Sequence, residues 1–209
     1  MSDTQIPLYP DGYYHIYNHA VGKENLFEVE KDYAFFLLSF KKYIMPIGDL
    51  FAYSLMPNHF HLVVRMKNED EIKRHLQSHS KKQIDFVQME KQNSYFVSEK
   101  ISQIYSNFFN AYAKHYNFWK NRNGTLFKRA FRRKEITEMV YLQQLICYVH
   151  QNPVEAGFAF QPKQWKYSSY NAIISLNQTL MARQEVIALF GDLENFIYCN
   201  SKPIEIEFR

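Results

Sequence analysis

The chain has 209 residues, a formal net charge of +4, 46% hydrophobic and 17% aromatic residues, enough apolar side chain to fill the core of one sizeable domain. No apolar run approaches the ~20 residues that span a bilayer, and the opening Met1-Ser2-Asp3-Thr4-Gln5 lacks the basic-then-apolar order of a signal peptide. A cytoplasmic protein with no membrane partner is expected. Cys147 and Cys199 are too few and too far apart for a disulfide framework or a zinc knuckle, and read as ordinary thiols.

In chain order, Tyr13 to Ala20 alternates as a strand does, and Gly22-Lys23-Glu24-Asn25 breaks it. A helix is predicted from about Glu30 to Tyr43, with Phe36, Leu37 and Phe40 on its apolar stripe and Pro46 and Gly48 beyond its end. Two strands, Leu50 to Leu55 and His59 to Met66, flank a tight Met56-Pro57-Asn58 turn. Successive strand side chains point to opposite faces, so His59 and His61 emerge together while Phe60, Leu62 and Val64 face a core. Two imidazoles so placed can bind a divalent metal; the competing reading is two histidines on a polar sheet face. Asp70 to Phe86 reads as one polar helix and Val87 to Asn93 as a linker. A long helix from about Ser98 to Phe118 ends at Asn121-Arg122-Asn123-Gly124. Leu126 to Ile136 reads as a strand, and Thr137 to Gln151 as a helix stopping before Pro153. A last helix is expected at Arg183 to Phe190. Without the polar helix, the order βαββαβα fits an α+β fold: a ferredoxin-like split βαβ sheet with an antiparallel central hairpin and a C-terminal helical extension. Helices are expected on one sheet face, leaving the other for chemistry.

Charge is unevenly spread. No acid lies between Glu99 and Glu135, whereas Lys100, Lys114, Lys120, Arg122, Lys128, Arg129, Arg132, Arg133 and Lys134 do, a block suited to a polyanionic partner. Its aromatics, Tyr112, Tyr116, Phe118, Trp119, Phe127 and Phe131, offer base-stacking surfaces. The helical spacing of Ile101, Tyr105, Phe108, Tyr112 and Tyr116 favours a core role for that series.

On the helix before Pro153, Gln144, Tyr148 and Asn152 share a face, distinct from the stripe of Met139, Leu142, Ile146 and Val149. Tyr148 is thus not obviously needed for packing, although it is one of 16 tyrosines. Tyr141, about two turns earlier on nearly the same face, is the runner-up nucleophile. His75 and His79 have i, i+4 spacing, but no third ligand completes a zinc site, and a solvated helix face is the better reading. His15 and His19 share a strand face that either borders the histidine pair or packs at an edge.

Four ordered blocks then carry a resemblance: Pro57-Asn58-His59-Phe60-His61; Asn123-Gly124-Thr125-Leu126-Phe127; Tyr148 through Asn152-Pro153 to Gly157; and Trp165-Lys166-Tyr167-Ser168-Ser169-Tyr170. Over roughly Tyr13 to Tyr170 the chain resembles the REP-associated tyrosine transposases, a branch of the single-tyrosine HUH transposases. The resemblance implies a bacterial-type protein with an HUH transposase domain over 1–172, a variable helical insertion at 67–100 and an extension at 173–209. It makes His59 and His61 metal ligands, Asn152 a further polar ligand, Tyr148 the nucleophile, and Mg²⁺ or Mn²⁺ the cofactor. The implied activity is transposition and DNA recombination: endonucleolytic nicking and rejoining of single-stranded or hairpin DNA through a 5′-phosphotyrosine. The alternative is a domesticated, sequence-specific DNA-hairpin-binding protein. Lys114, Lys120, Arg122, Lys128, Arg129, Arg132, Arg133 and Lys134 are the expected DNA contacts. Monomer and homodimer both remain open.

Overall fold

The computed structural model describes residues 3–203. Its centre is a four-stranded sheet in the order β2-β3-β1-β4, in which every neighbouring pair is antiparallel: β1 is Tyr13–His19, β2 Gly48–Met56, β3 His59–Met66 and β4 Arg132–Ile136. Two crossover helices, α1 (Glu30–Tyr43) and α4 (Phe96–Trp119), pack against each other on one face. Phe60, turned to that face by strand alternation, meets Phe36 of α1 at 5.1 Å and Phe109 of α4 at 5.3 Å between ring centroids. Glu30 and Asp32 in the first turn of α1, and Lys41 and Lys42 in its last, complement the helix dipole. Asp32 also accepts from the Glu28 and Val29 N–H groups at 2.9 and 3.0 Å.

The hairpin that carries the histidine pair is fixed from outside as well as by its own ladder. The Pro57 carbonyl accepts from Leu26 and Phe27 N–H at 2.6 and 3.0 Å, and the Asn58 carbonyl from Ala20 N–H at 2.8 Å. The reversal at Pro57-Asn58 is therefore tied to the end of β1 and the approach to α1.

Several expectations change. The single polar helix is two, α2 (Glu69–Ser78) and α3 (Phe86–Gln92), and the expected linker is mostly helical. Side chains compete for the backbone at the break: Gln77 takes the Ile84 N–H at 2.8 Å and donates to the Lys82 carbonyl at 3.1 Å, while Asp85 caps α3 by accepting from Gln88 N–H at 3.0 Å. The strand expected from Leu126 begins only at Arg132. Before it, the chain pairs loosely with the end of β1, with Val21 N–H on the Leu126 carbonyl at 2.9 Å and Lys128 N–H on the His19 carbonyl at 3.0 Å.

The helix expected to stop before Pro153 runs through it: α5 is Met139–Glu155. Proline forfeits one internal hydrogen bond, but only two helical residues follow it. Gly157, at φ 76°, then closes the end with its N–H on the Val154 carbonyl at 3.0 Å. This helix lies across the second sheet face, against β2, β3 and β4. That face is consequently half covered, and a cleft remains where β1, β4 and the start of β3 stay open.

The C-terminal segment joins the same core. Tyr167 and Ser169 bond along the outer edge of β2, to Leu55 N–H and the Tyr53 carbonyl, at 3.0 and 2.9 Å, which removes an exposed sheet edge. Three short helices follow, α6 (Tyr170–Ile174), α7 (Arg183–Leu189) and α8 (Leu193–Asn200), and Phe196 of α8 is fully buried. The last part of the expected extension, 204–209, lies outside the described residues. No helix among the described residues is long and apolar enough to cross a membrane.

Candidate active site

The open half of the second face forms a cleft of about 630 Å³, lined by His15, Tyr17 and His19 of β1, His59 and His61 of β3, Arg132 and Lys134 of β4, and Tyr148 and Asn152 of α5. Strand alternation selects every sheet residue in that set. Register places His19 opposite His59, and Tyr17 opposite both His61 and Arg132. The i, i+4 spacing does the same on α5, where Asn152 Nδ2 lies 3.4 Å from the Tyr148 hydroxyl.

His59 is held at both ring nitrogens. Nδ1 is 2.7 Å from Asn58 Oδ1, and Nε2 is 3.1 Å from Asn152 Oδ1. Both partners are amide oxygens, which only accept, and a neutral imidazole carries a single N–H, so His59 donates to one of the two and meets the other with a lone pair. The His59 ring also stacks on His19 at 4.7 Å. Burial pushes its pKa down to about 4, against a smaller opposing effect of the Asn152 contact.

His61 is nearly buried, its ring almost perpendicular to that of His59 with centroids 5.2 Å apart. Its Nδ1 is 2.8 Å from His15 Nε2, a diagonal contact across β1 and β3 that leaves His61 Nε2 for any further ligand. Burial, followed by the neighbouring histidines, holds the His61 pKa well below its usual value, and burial takes His15 to about 3. These imidazoles are neutral near pH 7, the form in which they donate lone pairs. Tyr148 stands edge-on to His61 at 5.7 Å, and burial raises its pKa, with Glu155 adding to the effect.

The structure brings together His59, His61, Asn152 and Tyr148 but divides the expected DNA contacts. Lys120 is paired with Glu28 at 2.6 Å, Arg122 with Glu24, and Arg132 with Asp3 at 2.6 Å. Arg133 faces the opposite side of the sheet from the cleft and is buried, donating to Ser102 Oγ at 3.0 Å. Sequence remoteness hid those acids: the run is acid-free along the chain, not in space. Lys114, Lys128 and Arg129 are exposed and form no ion pair among the described residues; they line a second cleft of about 620 Å³ between α4 and the loop before β4. Lys134 lies in the first cleft, its Nζ 5.1 Å from the Tyr141 ring centroid.

Tyr141 itself does not line the first cleft, and Gln144 is exposed. The rings of His75 in α2 and His79 just past its end have centroids 4.3 Å apart, and no group of three or more His, Cys, Asp or Glu is arranged for a metal among the described residues. His150 is fully buried between Ser169 Oγ and Asn200 Oδ1, both at 2.7 Å. This Ser–His–Asn row is sealed from substrate, and it ties α8 to the helix that carries Tyr148. Asn58 and Asp3 gain contacts in the cleft that the sequence reading did not assign; an amide beside a turn histidine was the available signal for Asn58.

Among solved structures the chain is similar to a REP-associated tyrosine transposase bound to a REP hairpin, with a TM-score of 0.56 and 14% identity over 83% of this chain and 86% of that one. What the two share at this identity is the α+β fold. No family model matches the sequence, and no curated protein matches it.

Proposed function

We propose that this chain is a metal-dependent tyrosine strand transferase that nicks and rejoins single-stranded or hairpin DNA. The observation that carries the reading is the meeting of His59, His61 and Asn152 in one cleft, with His59 Nε2 and Asn152 Oδ1 3.1 Å apart beside the Tyr148 hydroxyl. With the ring proton on Nδ1, toward Asn58, the His59 Nε2 and Asn152 Oδ1 lone pairs would be turned to one point, where a cation could take both. His59, His61 and Asn152 would hold a divalent ion there through imidazole nitrogen and amide oxygen, donors that such ions accept. The Asn58 and His15 contacts on the far ring nitrogens are the outer hydrogen bonds that orient histidine ligands.

When bound, a Mg²⁺ or Mn²⁺ ion supplies positive charge to a non-bridging phosphate oxygen. Tyr148 supplies the nucleophile: its oxygen bonds to phosphorus as the P–O3′ bond breaks, leaving a 5′-phosphotyrosine and a 3′-hydroxyl. The proton lost by the phenol balances the one gained by the departing oxygen. The energy of the ester stays in the enzyme link, so a second 3′-hydroxyl rejoins the strand by the reverse step. Asn152 bridges the two functions, its oxygen on the His59 side and its nitrogen on the phenol.

Incubation with labelled single-stranded and hairpin DNA in Mg²⁺ or Mn²⁺, then a denaturing gel, tests the reading. A covalent adduct whose nucleotide maps to the Tyr148 peptide is expected. Tight hairpin binding without an adduct on any substrate would replace it with a DNA-hairpin-binding protein.

A further inference from the structure

One end of the candidate active site already holds an anion, supplied by the chain itself. Asp3 Oδ2 accepts from Arg132 Nη2 at 2.6 Å and from the Tyr17 hydroxyl at 3.2 Å. The guanidinium lies 5.1 Å over the Tyr17 ring, which stacks on His15 at 4.6 Å. Asp3 is carried there by a defined path: its carbonyl accepts from Arg133 N–H at 2.8 Å on β4, and farther along Leu8 is fully buried with its N–H on Ser98 Oγ at 2.9 Å.

Register makes the location specific. Tyr17 is opposite His61 on one side and Arg132 on the other, so the row His61–Tyr17–Arg132 crosses three strands spaced about 4.8 Å apart. It leads from the candidate metal ligands to Asp3. A guanidinium and a phenol hydroxyl that converge on a carboxylate present the donors a phosphodiester oxygen takes. The pair is also displaceable: the side chains of Arg132 and Asp3 are 41% and 44% exposed, and ion pairs that open to solvent hold weakly.

We infer that Arg132 and the Tyr17 hydroxyl form a seat for a DNA backbone phosphate neighbouring the reacting one, and that Asp3 occupies this seat until the strand displaces it. The inference rests on the reading above that the strand lies in this cleft. Asp3 acts as an internal competitor, and it opposes a phosphate both by occupying the donors and by like charge.

Fluorescence anisotropy with a fluorescein-labelled oligothymidylate tests it on wild type, Asp3→Asn, Arg132→Gln and the double variant at low salt. Asp3→Asn is expected to bind about two- to fivefold tighter than wild type, the range set by a weak exposed ion pair. In the Arg132→Gln background the gain should vanish. Equal or weaker binding by Asp3→Asn overturns the seat, as does a gain that persists without Arg132, since that would be bulk charge alone. Scoring the covalent adduct on the same proteins separates the two proposals. Tighter binding without an adduct leaves the seat and removes strand transfer; an adduct without tighter binding removes the seat alone. No binding by any of the proteins overturns both.

Discussion

Replacing Tyr148 and Tyr141 one at a time by phenylalanine separates the proposed nucleophile from its runner-up, because each change deletes one oxygen and leaves the ring. The Tyr148 hydroxyl has a long contact, 3.4 Å, to Asn152 Nδ2; a weak hydrogen bond of that kind is worth at most about 0.5–1 kcal/mol net. The Tyr141 hydroxyl is buried with no hydrogen-bond partner among the described residues, and its deletion relieves a desolvated polar group, which should leave stability unchanged or raise it by about 1 kcal/mol. Urea unfolding followed by tryptophan fluorescence reads both values. DNA affinity should stay within about twofold for each variant, since neither oxygen is a cation. Adduct formation should disappear in Tyr148→Phe and persist in Tyr141→Phe. An adduct on Tyr148→Phe, or mapping of the nucleotide to a peptide holding Tyr141 alone, would refute the reasoning; so would a loss of several kcal/mol in Tyr148→Phe, which would make the phenol a structural group.

Three further outcomes follow from the same contacts. Alanine at His59, His61 or Asn152 should weaken Mn²⁺ binding, measured by calorimetry without DNA, by about tenfold or more, while unfolding stays cooperative; undiminished binding in all three places the ion elsewhere. Neutralising Lys128 and Arg129 should flatten the slope of log affinity against log salt by about 1.4 to 1.8 units at most, whereas Arg133→Gln should lower stability and leave the slope alone, because that cation is buried on the other sheet face. Acid should destabilise the fold through His150, whose pKa burial lowers from 6.5 to about 4. The unfolded chain binds the proton first, so stability falls as pH drops from about 6.5 towards 4, by about 2 kcal/mol between pH 7 and pH 5 for this group. A His150→Gln protein whose unfolding free energy keeps the full wild-type pH dependence would show that His150 is not the responsible site.

What the sequence disclosed and what it hid divide along a physical line. His59 and His61 could be placed on one face, and Tyr148 and Asn152 on another, because pleat and helix pitch act within a few residues. Phe60 between the histidines reads as the strand's anchor for the same reason, and it meets Phe36 and Phe109 in the core. The boundaries of α1 and β3 were equally local. Features decided by distant partners were not readable: Arg122 and Glu24 are 98 positions apart, and Arg132 and Asp3 are 129 apart. The split between α2 and α3 depends on side-chain bonds from Gln77 that compete with an otherwise acceptable helix. For α8, anchoring comes from His150 and Gln151 on α5, which bond to Asn200, so its position follows from the helix it braces and not from its own periodicity.

By the same line, the pairing of cations would decide the proposed DNA track more than their number. A run of basic residues sets a potential only where its charges are not already neutralised at contact distance. Glu28, Glu24 and Asp3 pair Lys120, Arg122 and Arg132, while Lys114, Lys128 and Arg129 stay exposed together around the second cleft. On the histidine side, Arg132 is paired with a carboxylate weak enough to yield. A strand running between the two clefts would pass the end of β1 at Asn18 and His19, where the backbone is already tied to Lys128 and the Asn18 amide donates to the Arg129 carbonyl at 3.0 Å. Contacts there couple the loop bearing Lys128 and Arg129 to the strand bearing His15, Tyr17 and His19, so, on the proposed function, a strand bound at the loop would be aligned with the cleft that holds Tyr148.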